Sequence, residues 1–135
     1  MKFGGTGLVR CLMASAFALA LPAAAPADEA SDLMLRHEFE ERMAKQMVEN
    51  CPAFEIDRNA VRVRNLKLDL KLSQMGSSLS ALSVRRPASD FDGLNQAFAV
   101  RHGFGQATTV GDFCAVADRE HAEETPIGSM LKQVE

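Results

Sequence analysis

The order of residues at the N-terminus decides how much of this chain is available to fold. Lys2 and Arg10 carry positive charge, Cys11 to Leu21 form an apolar run of eleven residues, and Pro22 to Ala27 follow with small residues. Export machinery reads that succession as a cleavable secretory signal. The run is too short for a membrane anchor, which needs about twenty apolar residues. Cleavage is expected after Ala27, because a cut after Ala25 would leave Pro26 at the new N-terminus. Residues 1–27 are therefore assigned as a signal peptide, and 28–135 as one domain working in the periplasm or beyond, with no membrane span after processing. Cys11 opens the apolar run instead of closing it, which argues against a lipid-anchored form.

Removing the signal changes both the cysteine count and the charge. Cys51 and Cys114 are left as an even pair, and in an exported chain such a pair is expected to form a disulfide. Closing a loop of this length stabilises a fold by roughly 4 kcal/mol on the chain-entropy account. The signal holds two of the fifteen Lys and Arg and none of the eighteen acids, so the domain carries thirteen bases against eighteen acids, a net charge of −5. An acidic balance gives no global reason to expect nucleic acid or an anionic membrane as partner.

Periodicity places the helices. With Ser31 as N-cap, Phe39, Met43, Met47 and Cys51 recur every four residues, and Pro52 ends the run. A stripe rich in methionine can serve as a binding groove, but ordinary core is the simpler reading. Ser89-x-x-Asp92 resembles a capping box ahead of a helix with core residues Phe91, Leu94 and Phe98. Gly103 is placed to end that helix, with Phe104 folding back. Thr109-x-x-Asp112 opens another helix through Cys114 to about Glu124. Thr125-Pro126 then caps a last short helix with Ile127, Met130, Leu131 and Val134 on one stripe.

The segment from Val61 to Leu72 is ambiguous, because its leucines alternate with period two from Leu66, the pattern of a strand. Leu, Lys and Arg favour a helix, Asp57 can cap one, and a strand would have only 79–84 to pair with. The expectation is a helix buried on two sides, by Ile56, Val63, Leu66 and Leu70 on one and by Val61, Leu68 and Leu72 on the other. The fold class is then all-α, a small bundle of four to five short helices with one inter-helix disulfide. The alternative is an α+β fold with a hairpin at about 61–84.

Chemistry-bearing residues do not assemble into a known constellation. His37, His102 and His121 are each accounted for by helix position, and none lies in an H-E-x-x-H spacing. Asp118, His121 and Glu124 share a helical face, a weak metal signal, so neither metal nor cofactor is expected. Serines 77, 78, 80 and 83 lack a nucleophile elbow, and Glu40-Glu41 and Glu123-Glu124 read as solvated pairs. No catalytic residue is assigned. The basic run Arg58, Arg62, Arg64, Lys67 and Lys71, with Arg85-Arg86 beyond, departs from the acidic average. The preferred reading pairs it with the acidic first helix, through Glu38, Glu40, Glu41 and Glu49; the second is an anionic ligand or an acidic partner. Nucleic acid fits least, since Phe54 is the only aromatic near the run.

The C-terminal residues Cys114, Ala115, Glu120, Ala122, Ile127, Gly128 and Leu131 resemble a motif, Cys-Ala-x-Gly-x-x-Glu-Ile-Ala-x-x-x-x-Ile-Gly-x-x-Leu, of small exported alphaproteobacterial proteins whose domain has no assigned activity. Asn50-Cys51 is similar to that family's other cysteine position. Ala117 stands where the motif has glycine, His121 where it has isoleucine, and Pro126 is not typical. The resemblance implies an all-helical domain and the cysteine pair. It also draws attention to Glu120, as a buried partner of Arg58 or Arg62 or as a ligand contact, and it implies that His121 packs. The functional expectation is a monomeric, non-catalytic binding or accessory module for an envelope protein or a small ligand. An unrecognised periplasmic enzyme or a metal-binding protein is the alternative.

Overall fold

The computed structural model describes residues 26–82, 88–104 and 109–135. Residues 1–25, which hold most of the expected signal segment, and the Arg85-Arg86 pair and Pro87 lie outside the described residues. A 25-residue helix, α1 (Pro26–Asn50), contributes Ala30, Met34, Phe39, Met43, Ala44 and Met47 to the core. After it come a short strand β1 (Phe54–Ile56), helix α2 (Arg58–Gln74), a single turn α3 (Leu79–Leu82), a 3-10 turn (Ala88–Phe91), and helices α4 (Asp92–His102) and α5 (Val110–Ala122). A second 3-10 turn (Gly128–Met130) and strand β2 (Leu131–Gln133) close the chain. The architecture is the expected helical bundle with a Cys51–Cys114 disulfide.

The stripe on α1 is core, as its spacing requires. Phe39, Met43, Ala44, Met47 and Cys51 are buried with Phe98 of α4, Val116 and Ala117 of α5, and Ile127, Met130 and Leu131. The helix begins at Pro26, ahead of the expected cap at Ser31. Proline is tolerated in a first turn, where its missing N–H would have no partner in any case.

The segment expected to be ambiguous is a helix, and its ends show why. The Asp57 side chain accepts from the N–H groups of Asn59 and Ala60, and Asp57 is fixed in turn by donating its own N–H to the Met130 carbonyl, 2.8 Å away. At the other end Gly76, with φ 72°, closes a Schellman motif through Ser77 N–H to Leu72 O and Gly76 N–H to Ser73 O. The alternating leucines separate into two i, i+4 pairs on opposite faces. Leu68 and Leu72 are buried against Ala30 and Met34 of α1. Leu66 and Leu70 are 61% and 62% exposed, and Val63 is 42% exposed. The helix is therefore buried on one side only, and the hairpin at 61–84 does not form.

Two other local signals act differently from expectation. Phe91, not Ser89, precedes α4 as its cap, without a side-chain hydrogen bond, because residues 88–91 already form a 3-10 turn. The last stripe makes one 3-10 turn and then a strand, where a short helix was expected. β2 pairs antiparallel with β1, in the register Phe54 to Gln133, Glu55 to Lys132 and Ile56 to Leu131. Ile127, Met130 and Leu131 are buried all the same, while Val134 stays exposed. A strand forms because β1 offers an open edge directly after Cys51. The opposed pair Glu55 and Lys132 makes an ion pair at 2.7 Å, and this carboxylate raises the Lys132 pKa above its ordinary value.

Thr109 and Asp112 open α5 as expected. The N–H and the hydroxyl of Thr109 both donate to Asp112 Oδ2, at 2.7 and 2.8 Å. These bonds, the backbone one foremost, hold the Asp112 carboxyl below its ordinary pKa.

The two faces of α2 are separable by mutation. Leu72→Ala is expected to cost about 2–4 kcal/mol in urea unfolding, whereas Leu70→Ala should change stability by less than about 0.5 kcal/mol. Equal losses would contradict the one-sided packing.

Candidate functional site

The most buried polar group sits at the end of α5. Glu120 is 0% exposed, the one charged residue of the core among the described residues. Its Oε1 accepts from His102 Nε2 at 2.6 Å, and Arg101 Nη2 lies 3.6 Å from the same oxygen. Its Oε2 accepts from the Thr125 hydroxyl, and Thr125 Oγ1 accepts from Gly128 N–H at 3.0 Å. Both carboxylate oxygens are thus committed inside the protein. Burial of a carboxylate is tolerated only with such partners.

The backbone that delivers Thr125 has a distinctive turn. α5 ends in the same Schellman pattern as α2, with Thr125 N–H donating to Glu120 O at 3.2 Å and Glu124 N–H to His121 O. The left-handed position is taken by Glu124, φ 50°, instead of a glycine. An L residue there costs about 1 kcal/mol. The turn also brings Gly128 onto Glu120: a Cβ at Gly128 would overlap the Glu120 carbonyl group. The glycine of the C-terminal motif is required by close approach of backbone to backbone.

α4 supplies His102 through its own termination. Gly103, φ 67°, and Phe104 close a third Schellman motif, with Phe104 N–H bonded to Ala99 O at 2.9 Å. The His102 ring is fully enclosed, packed 4.5 Å from the Phe98 ring centroid, and its Nδ1 has no hydrogen-bond partner. Arg101 reaches the surface and bonds Glu123 at 2.8 Å.

Glu120 therefore does not meet Arg58 or Arg62. Those two arginines are exposed on α2 and line a separate shallow depression with Val61, Asn65, Leu66, Asp69 and Leu79. Within the basic run Arg64 is the one that reaches α1, because it lies four residues before Leu68 and shares the buried face. It donates to Glu40 Oε2 at 2.6 Å, to the Pro126 carbonyl at 3.1 Å and to His37 Nδ1 at 3.3 Å. His37 Nε2 in turn bonds Asn65 Oδ1 at 2.7 Å. The expected pairing of the run with the acidic face of α1 thus holds for Arg64; Lys67 and Lys71 make no ion pair among the described residues.

His121 packs edge-on against Phe54, with ring centroids 5.6 Å apart. Asp118, His121 and Glu124 do not come together, and among the described residues no group of three His, Cys, Asp or Glu side chains is placed to hold a metal ion. Cys51 and Cys114 are joined, with Cα atoms 5.0 Å apart. Among the described residues no helix is long and apolar enough to cross a membrane.

Beside Glu120 opens a cleft of about 240 Å³ between α1, α4 and the final turn. Phe39, Leu94, Phe98 and Ile127 give it an apolar wall, with Arg36, Glu40 and Arg101 around it. The order of groups is wrong for a nucleophile. In a hydrolase triad the histidine lies between hydroxyl and carboxylate. Here the carboxylate lies between histidine and hydroxyl, and the network does not activate Thr125.

Comparison with protein-family models, curated proteins and solved structures finds no match for the chain.

Two variants test the structural role of this network. Glu120→Gln removes the charge and replaces one acceptor oxygen by an NH₂, so His102 or Thr125 must give up its present donor role, and it is expected to cost about 2 kcal/mol. Glu124→Gly removes the left-handed penalty and should stabilise by about 1 kcal/mol. Unchanged melting of Glu120→Gln would show that Glu120 is not a structural anchor.

Proposed function

We propose that the protein is an exported, non-catalytic binding module, periplasmic and monomeric, whose ligand site is the cleft beside Glu120. One observation carries this reading. The cleft presents an apolar wall, while its one fully buried acid has both oxygens engaged by His102 and Thr125. Such a surface is suited to recognise and hold, since both acids among the described residues of its lining, Glu40 and Glu120, are already engaged by partners. A cleft with a few polar groups at its rim is the usual form of a small-molecule site.

Export is supported by the N-terminal succession of charge, apolar run and small residues, and by a disulfide of the kind formed in oxidising compartments. The same reading takes the chain as one of the small exported proteins that its C-terminal motif resembles.

Native mass spectrometry of the protein purified from the periplasm provides the test. The expected spectrum shows a chain beginning at Asp28 with a non-covalent small-molecule adduct, released on unfolding and unchanged in mass after prolonged incubation. A bare protein would count against the module reading, and an adduct whose mass changes on incubation would favour an enzyme.

A further inference from the structure

A second cleft adjoins the first along α1. It measures about 290 Å³ and is lined by Leu33, Arg36, His37, Glu40, Arg64, Lys67, Leu68 and Lys71. Arg36 and Glu40, one turn apart on α1, line both clefts, so the two adjoin at that pair. Their chemistry differs sharply. The first is walled by Phe39, Leu94, Phe98 and Ile127, while the second has four cations and a single carboxylate.

That carboxylate is already spent. Glu40 is bonded to Arg64, and Arg36, Lys67 and Lys71 have no ion pair among the described residues. Three unneutralised cations around one cleft repel each other, in a domain whose overall charge is −5, and an oxyanion seated among them would relieve that repulsion.

We infer that the joined clefts bind an anionic amphiphile, a molecule with a phosphate, sulfate or carboxylate head and a short apolar tail. The head sits among Arg36, Arg64, Lys67 and Lys71. The tail lies over Arg36 and Glu40 against Phe39, Phe98 and Ile127. The two volumes together reach the range of about 300–1,000 Å³ typical of small-molecule sites. This inference rests on the binding-module reading and narrows it to one ligand class.

Isothermal titration of the oxidised protein with octyl phosphate below its micelle concentration, inorganic phosphate and octanol separates head from tail. Octyl phosphate is expected to bind at least about tenfold more tightly than either part alone, and more weakly as salt is raised. Lys67→Glu/Lys71→Glu changes only exposed side chains, so melting should be unaltered while octyl phosphate affinity falls at least about tenfold. Ala97→Phe, at an exposed position of the first cleft, should reduce octyl phosphate binding to the level of inorganic phosphate. Equal affinities for octyl phosphate and octanol, or unaltered binding by the lysine double variant, would overturn the inference. Binding to vesicles of anionic lipid without binding of monomeric octyl phosphate would overturn it too, in favour of a membrane surface. A neutral adduct in the native mass spectrum would overturn this inference alone and leave the module reading standing.

Discussion

The fold depends on α1 and α5 being held together at the Cys51–Cys114 bond. α1 is long, and its core stripe cannot be buried by α5 alone, so the segments around the bond have to be brought to it. Because Cys51 directly follows α1, the bond fixes the start of β1, and β1 supplies the edge on which β2 ends the chain. Asp57, the cap of α2, is tied to Met130 on the same edge. One covalent closure therefore sets the positions of α2, α5 and the C-terminal clip. A small domain with a modest core gains from such a staple, because it has little other stability in reserve.

Glu120 plays the corresponding part at the far end of α5. Its carboxylate joins α4 through His102 to the turn after α5 through Thr125, with Gly128 packed on its backbone. The network explains why Glu120, Thr125 and Gly128 are needed together: an acid needs donors when buried, the hydroxyl supplies one, and the absent Cβ allows the approach. It also shapes the cleft, because the same turn carries Pro126 and Ile127 into its wall. The apolar cleft and the basic one then adjoin along α1 at Arg36 and Glu40.

Much of this was legible in the sequence where the determining contacts are local. Cap residues Asp57 and Thr109, the stop at Gly103 and the four-residue stripe on α1 act within a turn or two, and each does what its spacing requires. The Cys51–Cys114 pair was readable as the two cysteines that remain once the expected signal segment is set aside. What was not legible depends on partners distant in the chain. The last stripe becomes a strand because an edge at residues 54–56 is waiting for it, and a periodicity of three and four carries no trace of that edge. The outer face of α2 looked as apolar as the inner one, but Leu66 and Leu70 meet no neighbour that buries them. Arg64, not Arg58 or Arg62, was recoverable in principle, since it alone shares the phase of Leu68 and Leu72. His102 as the partner of Glu120 had no sequence signal beyond its place at a helix end.

The account is most directly tested by urea unfolding of the protein with its disulfide intact and of the Cys51→Ala/Cys114→Ala variant. If the bond organises the fold as described, its loss lowers unfolding stability by about 4 kcal/mol. It should also loosen the β1–β2 clip, seen as faster amide exchange at Asp57 and Val134, whose N–H groups bond Met130 O and Ala53 O, before α4 is affected. A loss below about 1 kcal/mol, with protection at the clip unchanged, would contradict the claim that the closure of α1 onto α5 sets the rest of the structure.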